Sequence, residues 1–105
     1  MYILRTTHDN YEIAKDIIKY AVEHKFAASA HIHKVESCYV WEDELYSKDE
    51  YEVTYITEYP EELEKLIREK HEYKVPEVIY TKVHTHLQYS LWCSNWCVKG
   101  GVKDD

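Results

Sequence analysis

The hydrophobic pattern changes period several times along the chain, and each change marks an element. Residues 1–8, MYILRTTH, form a short apolar run that reads as a first strand. Asp9 and Asn10 then offer helix N-caps. Ile13, Ile17, Ala21 and His24 recur on one helical face, flanked by Ala14, Ile18 and Val22, which predicts a helix to about Lys25. From Lys25 to Leu45, KFAASAHIHKVESCYVWEDEL, the period becomes two. Ser29, His31, His33, Val35, Ser37, Tyr39 and Trp41 share one face of that stretch, and Ala28, Ala30, Ile32, Lys34, Glu36, Cys38, Val40 and Glu42 the other.

The segment YSKDE, 46–50, predicts the turn into a second strand, YEVTYIT, with Tyr51, Val53, Tyr55 and Thr57 on one face. Pro60 stands at a first helical position, with Glu61 and Glu62 where the helix dipole favours negative charge. Leu63, Leu66 and Ile67 supply the apolar stripe of that second helix. Pro76 opens a last strand, PEVIYTKVH, and LQYSLWCSNWC predicts a C-terminal helix carrying Leu87, Leu91, Trp92 and Trp96. The order is strand–helix–strand–strand–helix–strand plus a helix. Two strand–helix–strand halves joined by a hairpin make an α+β, ferredoxin-like βαββαβ sandwich. One domain over residues 1–98 and a flexible tail over 99–105 are expected.

The stretch 25–45 is far longer than a usual strand of roughly 5–6 residues. Its excess overhangs its own sheet, and an exposed overhang is an aggregation hazard that pairing in a closed oligomer removes. Unless a bulge takes up the excess, an oligomer is expected from that length.

Composition narrows the function classes. The net charge is −7, from 13 Lys and Arg against 20 Asp and Glu, with no basic cluster to displace counterions from a phosphate backbone. Neither nucleic acid nor an acidic membrane surface is an expected partner. No run approaches the ~18 apolar residues of a membrane span, and the N-terminus lacks the pattern of a signal peptide, so a cytoplasmic protein is expected. The only glycines are Gly100 and Gly101, which removes the glycine-rich phosphate loops of common nucleotide enzymes.

Candidate chemistry is sparse. His31 and His33, two apart on one strand face, offer two imidazoles, and a metal site needs further ligands from elsewhere. An ordinary half-exposed strand face is the simpler reading, and the same holds for His84 and His86. Cys93 and Cys97, one helical turn apart, suit a soft metal but equally a pair of small buried groups. Nothing local activates Cys38 as a nucleophile, and the carboxylates of WEDELYSKDEYE read as a solvated hairpin tip. No enzymatic activity is expected.

The order of motifs nevertheless resembles a family. AASAHIHKVESCYVWEDEL, then YEV, then KHEYKVPEVI, then YSLW resemble the CutA divalent-cation-tolerance proteins from about Ile3 to Trp92. The resemblance implies a ferredoxin-like protomer in a tight homotrimer, in which the long strand and the C-terminal segment complete neighbouring sheets. It also implies a link to divalent cation tolerance, with copper as the metal. The family's copper ligands, a first-strand cysteine and adjacent histidines, fall here on Arg5, Lys70 and His71. Of that set only His71 is retained, so weak, non-selective cation binding is expected, with His31 and His33 as possible additional ligands around a threefold axis. Glu72 stands where the family has proline. The family is similar in fold to the PII regulatory trimers. That likeness implies an alternative: a small ligand or partner protein held in a cleft between protomers, near Tyr39, Trp41, Glu42 and Glu77.

Overall fold

The computed structural model describes residues 1–103. Its elements are β1 (Tyr2–His8), α1 (Tyr11–Glu23), β2 (Ser29–Trp41), β3 (Glu44–Thr57), α2 (Pro60–Lys70), β4 (Val78–Lys82) and α3 (Leu87–Trp96). The strands form one antiparallel sheet in the order β2-β3-β1-β4. This is the α+β ferredoxin-like arrangement expected from the pattern, with α3 added. No helix among the described residues is long and apolar enough to cross a membrane.

Alternation assigns the two faces of the sheet. Leu4 on β1 and Val53 and Tyr55 on β3 point to α1 and α2, where they pack with Ala14, Ile17, Ala21, Leu63, Leu66 and Ile67. α1 begins where expected, because the Asn10 side chain accepts a hydrogen bond from the Ile13 N–H. It stops at Glu23 because Lys25 takes a left-handed conformation, φ 66°. On the opposite face, Ile3, Ala28 and Ile56 meet Cys93 and Cys97 of the α3 segment. Burial raises both thiol pKa values, so this pair packs as small buried groups. The large apolar residues of α3 face outward instead: Leu87, Leu91, Trp92 and Trp96 are all exposed in the single chain.

The hairpin turn differs from the expectation. The segment 46–50 is strand, and the chain reverses at Glu42–Asp43, with Trp41 opposite Glu44. Both turn residues have positive φ, 50° and 64°, which is the two-residue turn whose twist matches the flanking strands. The sequence hides this turn because it contains neither Gly nor Asn. As a result, the halves of β2 and β3 nearest the turn extend beyond β1, which pairs with β3 only from Tyr51 to Thr57. A two-stranded arm with Val40 and Leu45 exposed at its tip projects from the body.

The expected tail returns to the body over its described part; Asp104 and Asp105 lie outside the described residues. The N–H groups of Val98 and Val102 donate to the carbonyls of Lys25 and His24, and Trp96 Nε1 donates to that of Val22. Gly101 has φ +73°, and a Cβ there would overlap the Phe26 ring. Gly100 has a similar φ with open space around it. Gly101→Ala should therefore destabilise by about 2 kcal/mol in urea unfolding, and Gly100→Ala by about 1 kcal/mol or less. Equal effects at the two positions would mean that the Phe26 contact contributes nothing.

Candidate functional site

The arm of β2 and β3 and the segment 72–77 after α2 face each other across an open cleft of about 940 Å³. Tyr39, Val40, Trp41 and Tyr46 of the arm form one wall, and Tyr73, Lys74, Val75, Pro76 and Glu77 the other. Thr7, Glu50 and Glu72 also line it. Glu50 is only 4% exposed, and the Tyr73 hydroxyl donates to its Oε2. Burial and this carboxylate together push the Tyr73 pKa well up. The Lys48 ammonium lies 5.7 Å from the centre of the Tyr39 ring and 5.2 Å from that of Tyr73, and 3.4 Å from Asp9 Oδ2.

One network fixes the 72–77 wall. Glu72 Oε1 accepts from His8 Nδ1 at 2.7 Å, and Oε2 accepts from the Asp9 and Asn10 N–H groups at 2.8 and 2.9 Å. A carboxylate only accepts, so His8 carries its proton on Nδ1. Burial alone would raise the Glu72 pKa, but the His8 and backbone donors prevail and hold it at about 2. His71 stacks on His8, ring centres 4.0 Å apart and planes 10° from parallel. Its Nε2 donates to the Thr7 carbonyl at 2.8 Å, while its Nδ1 accepts from the Tyr73 N–H at 3.0 Å. That pair of bonds requires a neutral ring, and burial with His8 beside it lowers the His71 pKa in agreement. The 3.3 Å approach of His71 Nδ1 to Glu72 is accordingly not an ion pair.

His8, His71 and Glu72 are the one group of three potential metal ligands found among the described residues, their ligand atoms within 4.8 Å of one another. His8 Nε2 is buried without a hydrogen-bond partner among those residues. The group is nevertheless not a preformed chelate. Imidazole lone pairs lie in the ring plane, and one ion cannot lie in both of two parallel planes 4.0 Å apart. Both nitrogens of His71 are also already engaged.

The structure brings Tyr39, Trp41, Glu77 and His71 to this region, the first three as cleft lining and His71 beneath it. Glu42 sits in the hairpin turn rather than in the lining. His31 and His33 lie farther back along β2, outside the cleft lining; both are exposed, and His33 Nε2 is 3.5 Å from Glu52. Sequence reading missed His8, Glu50, Lys48 and the role of Glu72. His8 and Glu72 are 64 residues apart, and no local pattern couples them. Glu50 was hidden in an acidic run expected to be solvated, and only the register of β3 buries it.

The model of the CutA1 divalent ion tolerance protein family matches residues 2–95. Among solved structures, CutA1 from Pyrococcus horikoshii superimposes with a TM-score of 0.88 at 27% identity, covering 94% of this chain and all of that one. CutA1 from the psychrotrophic bacterium Shewanella sp. SIB1, described as a stable protein, gives 0.83 at 30% identity, covering 91% and 94%. The PII-like protein CutA from Nostoc sp. PCC 7120 gives 0.82 at 26% identity, covering 89% and 93%. No curated protein matches the chain by sequence.

Proposed function

This chain belongs to the CutA1 divalent ion tolerance family, and we propose that it is a cytoplasmic, non-enzymatic homotrimer that acts as a cleft-binding regulatory protein in that response. In this reading metal ions bind it directly only weakly. One observation carries the proposal: the chemistry-bearing groups are committed to building a cleft wall, while the cleft they support stays open. His71 is locked neutral and Glu72 is held as a satisfied carboxylate, so neither is poised as a general base or as a metal ligand. The cleft is of a size that takes small molecules, with aromatic walls and a few polar groups. The PII-like description of the Nostoc relative supports the same reading. Three cysteines without a disulfide fit a reducing compartment. A charge of −7 disfavours nucleic acid as a partner.

The second reading is direct ion binding at His8, His71 and Glu72, favoured by the unpartnered His8 Nε2 and the short ligand spacing. Copper, the metal implied by resemblance, would have to turn at least one ring out of the stack. That cost sets an expected dissociation constant no tighter than roughly micromolar for copper or zinc. Calorimetric titration of the pure protein with each ion checks this, and His71→Ala should change the affinity little. Nanomolar copper binding that disappears in His71→Ala would replace the cleft reading with the direct one. Loss of binding only in the double variant His31→Ala, His33→Ala would place the ion at those histidines of β2, outside the cleft.

A further inference from the structure

The cleft carries a strong charge bias. Glu36, Glu50, Glu72 and Glu77 line it against Lys74, and Lys48 reaches over two of its rings. Two of these carboxylates are already used, Glu50 by the Tyr73 hydroxyl and Glu72 by His8 and two backbone N–H groups. Glu36 and Glu77 are exposed, and neither makes an ion pair among the described residues; Glu77 has only a 3.5 Å contact from Thr7 Oγ1. The rest of the lining includes the aromatic and aliphatic surfaces of the arm and of Val75 and Pro76.

The chain itself shows how such a surface treats an ammonium group. Lys48 reaches over the Tyr39 and Tyr73 rings, and its position next to Asp9 completes a cage of two ring faces and one carboxylate. Lys48 is partly exposed and reaches the cage on a flexible stem, so an incoming ammonium can displace it.

We propose that the cleft binds an aliphatic di- or polyamine. Its ammonium groups pair with Glu36 and Glu77 and enter the Tyr39–Tyr73 cage, and its methylene segments cover the apolar walls. An inorganic cation satisfies the carboxylates but leaves the aromatic and aliphatic walls uncovered. A neutral chain does the reverse. Only a ligand with separated positive charges on an apolar backbone matches both features. The inference rests on the reading of the cleft as the ligand site.

The test is calorimetry on the intact protein with spermidine, with 1,8-octanediol as the neutral chain and magnesium chloride as the inorganic cation, at fixed ionic strength. Spermidine should bind with a dissociation constant on the order of 100 µM or tighter, and neither control should match it. Glu77→Gln and Tyr39→Leu should each weaken spermidine about tenfold, while Lys48→Met should strengthen it about threefold by vacating the cage. Light scattering shows whether the variants keep the parent assembly, and Glu36→Gln, an exposed change, stands in for any that does not. Octanediol binding as well as spermidine would overturn the polyamine assignment while leaving the cleft as a ligand site. Magnesium competing at equal charge, or affinity unchanged in Glu77→Gln, would reduce it to unspecific counterion attraction and overturn it. No binding of any probe would overturn the polyamine proposal, and the cleft reading loses its support only if the metal titration gives the nanomolar His71-dependent site.

Discussion

Light scattering at micromolar concentration should give the mass of three chains, and charging the tip of the arm should reduce it to one. Val40→Asp with Leu45→Asp is the variant. These residues are 68% and 77% exposed and face each other at the turn ends of β2 and β3. Near the other end of β3, Ile56 packs with Cys93 of α3, whose outward face exposes Leu87, Leu91 and Trp92. At about 3.3 Å per residue, the fourteen residues of β3 hold these patches roughly 40 Å apart. Two unlike patches at opposite ends suit a contact in which the arm of one chain meets α3 of the next. Head-to-tail association of this kind stays finite only by closing a ring, and three chains are the expected number. A ring interface of the obligate kind buries on the order of 2,000 Å² or more, and a buried aspartate at its centre is not tolerated. Folding and assembly are then coupled, so the melting temperature of the parent should rise with protein concentration. A parent protein that runs as a monomer, with a concentration-independent melting temperature, would refute the ring.

Removing the Glu72 charge is expected to have the largest effect of any single polar substitution. The folded-state pKa of Glu72 is about 2 against an ordinary value of 4.5. A depressed carboxylate pKa contributes stability that is fully present above pH 4.5 and is lost as the pH falls through about 2. At ~1.4 kcal/mol per pKa unit the contribution is ~3 kcal/mol at neutral pH. His71 acts in the same direction at higher pH. Its pKa is lowered from 6.5, so its share is present above pH 6.5 and is lost as the pH falls through its folded value. Acidification should therefore weaken the protein in two stages, first below pH 6.5 and then between pH 4.5 and 2. Glu72→Gln should lose about 3 kcal/mol at pH 7 and lack the second stage, measured by urea unfolding at one fixed protein concentration. Because the same carboxylate anchors the 72–77 wall to the β1–α1 corner, proton exchange at the Asp9 and Asn10 amides should also speed up. Parallel pH profiles for parent and variant would show that the network positions nothing.

What the sequence determined is what local physics determines. The 3.6 period with its caps wrote α1 and α2, and their buried residues Ile17, Ala21, Leu63 and Ile67 are those that the stripes pointed to. The period of two from Ser29 to Trp41 wrote β2 and its unusual length, and with it the arm. The motif order made the family legible before any contact was known. Where information is non-local, the sequence was silent. The turn at Glu42–Asp43 contains neither Gly nor Asn, although both its residues have positive φ. The pairing of the strands fixed it, and that pairing decided which carboxylate of the acidic run is buried. The His8–Glu72 bond joins residues on opposite sides of the chain's long return path, and the stack of His71 on His8 exists only because β1 and the end of α2 meet. A histidine counted as a ligand in one dimension is, in three, already bonded through both nitrogens. Hydrogen-bond capacity is finite, and only the tertiary structure shows where it has been used.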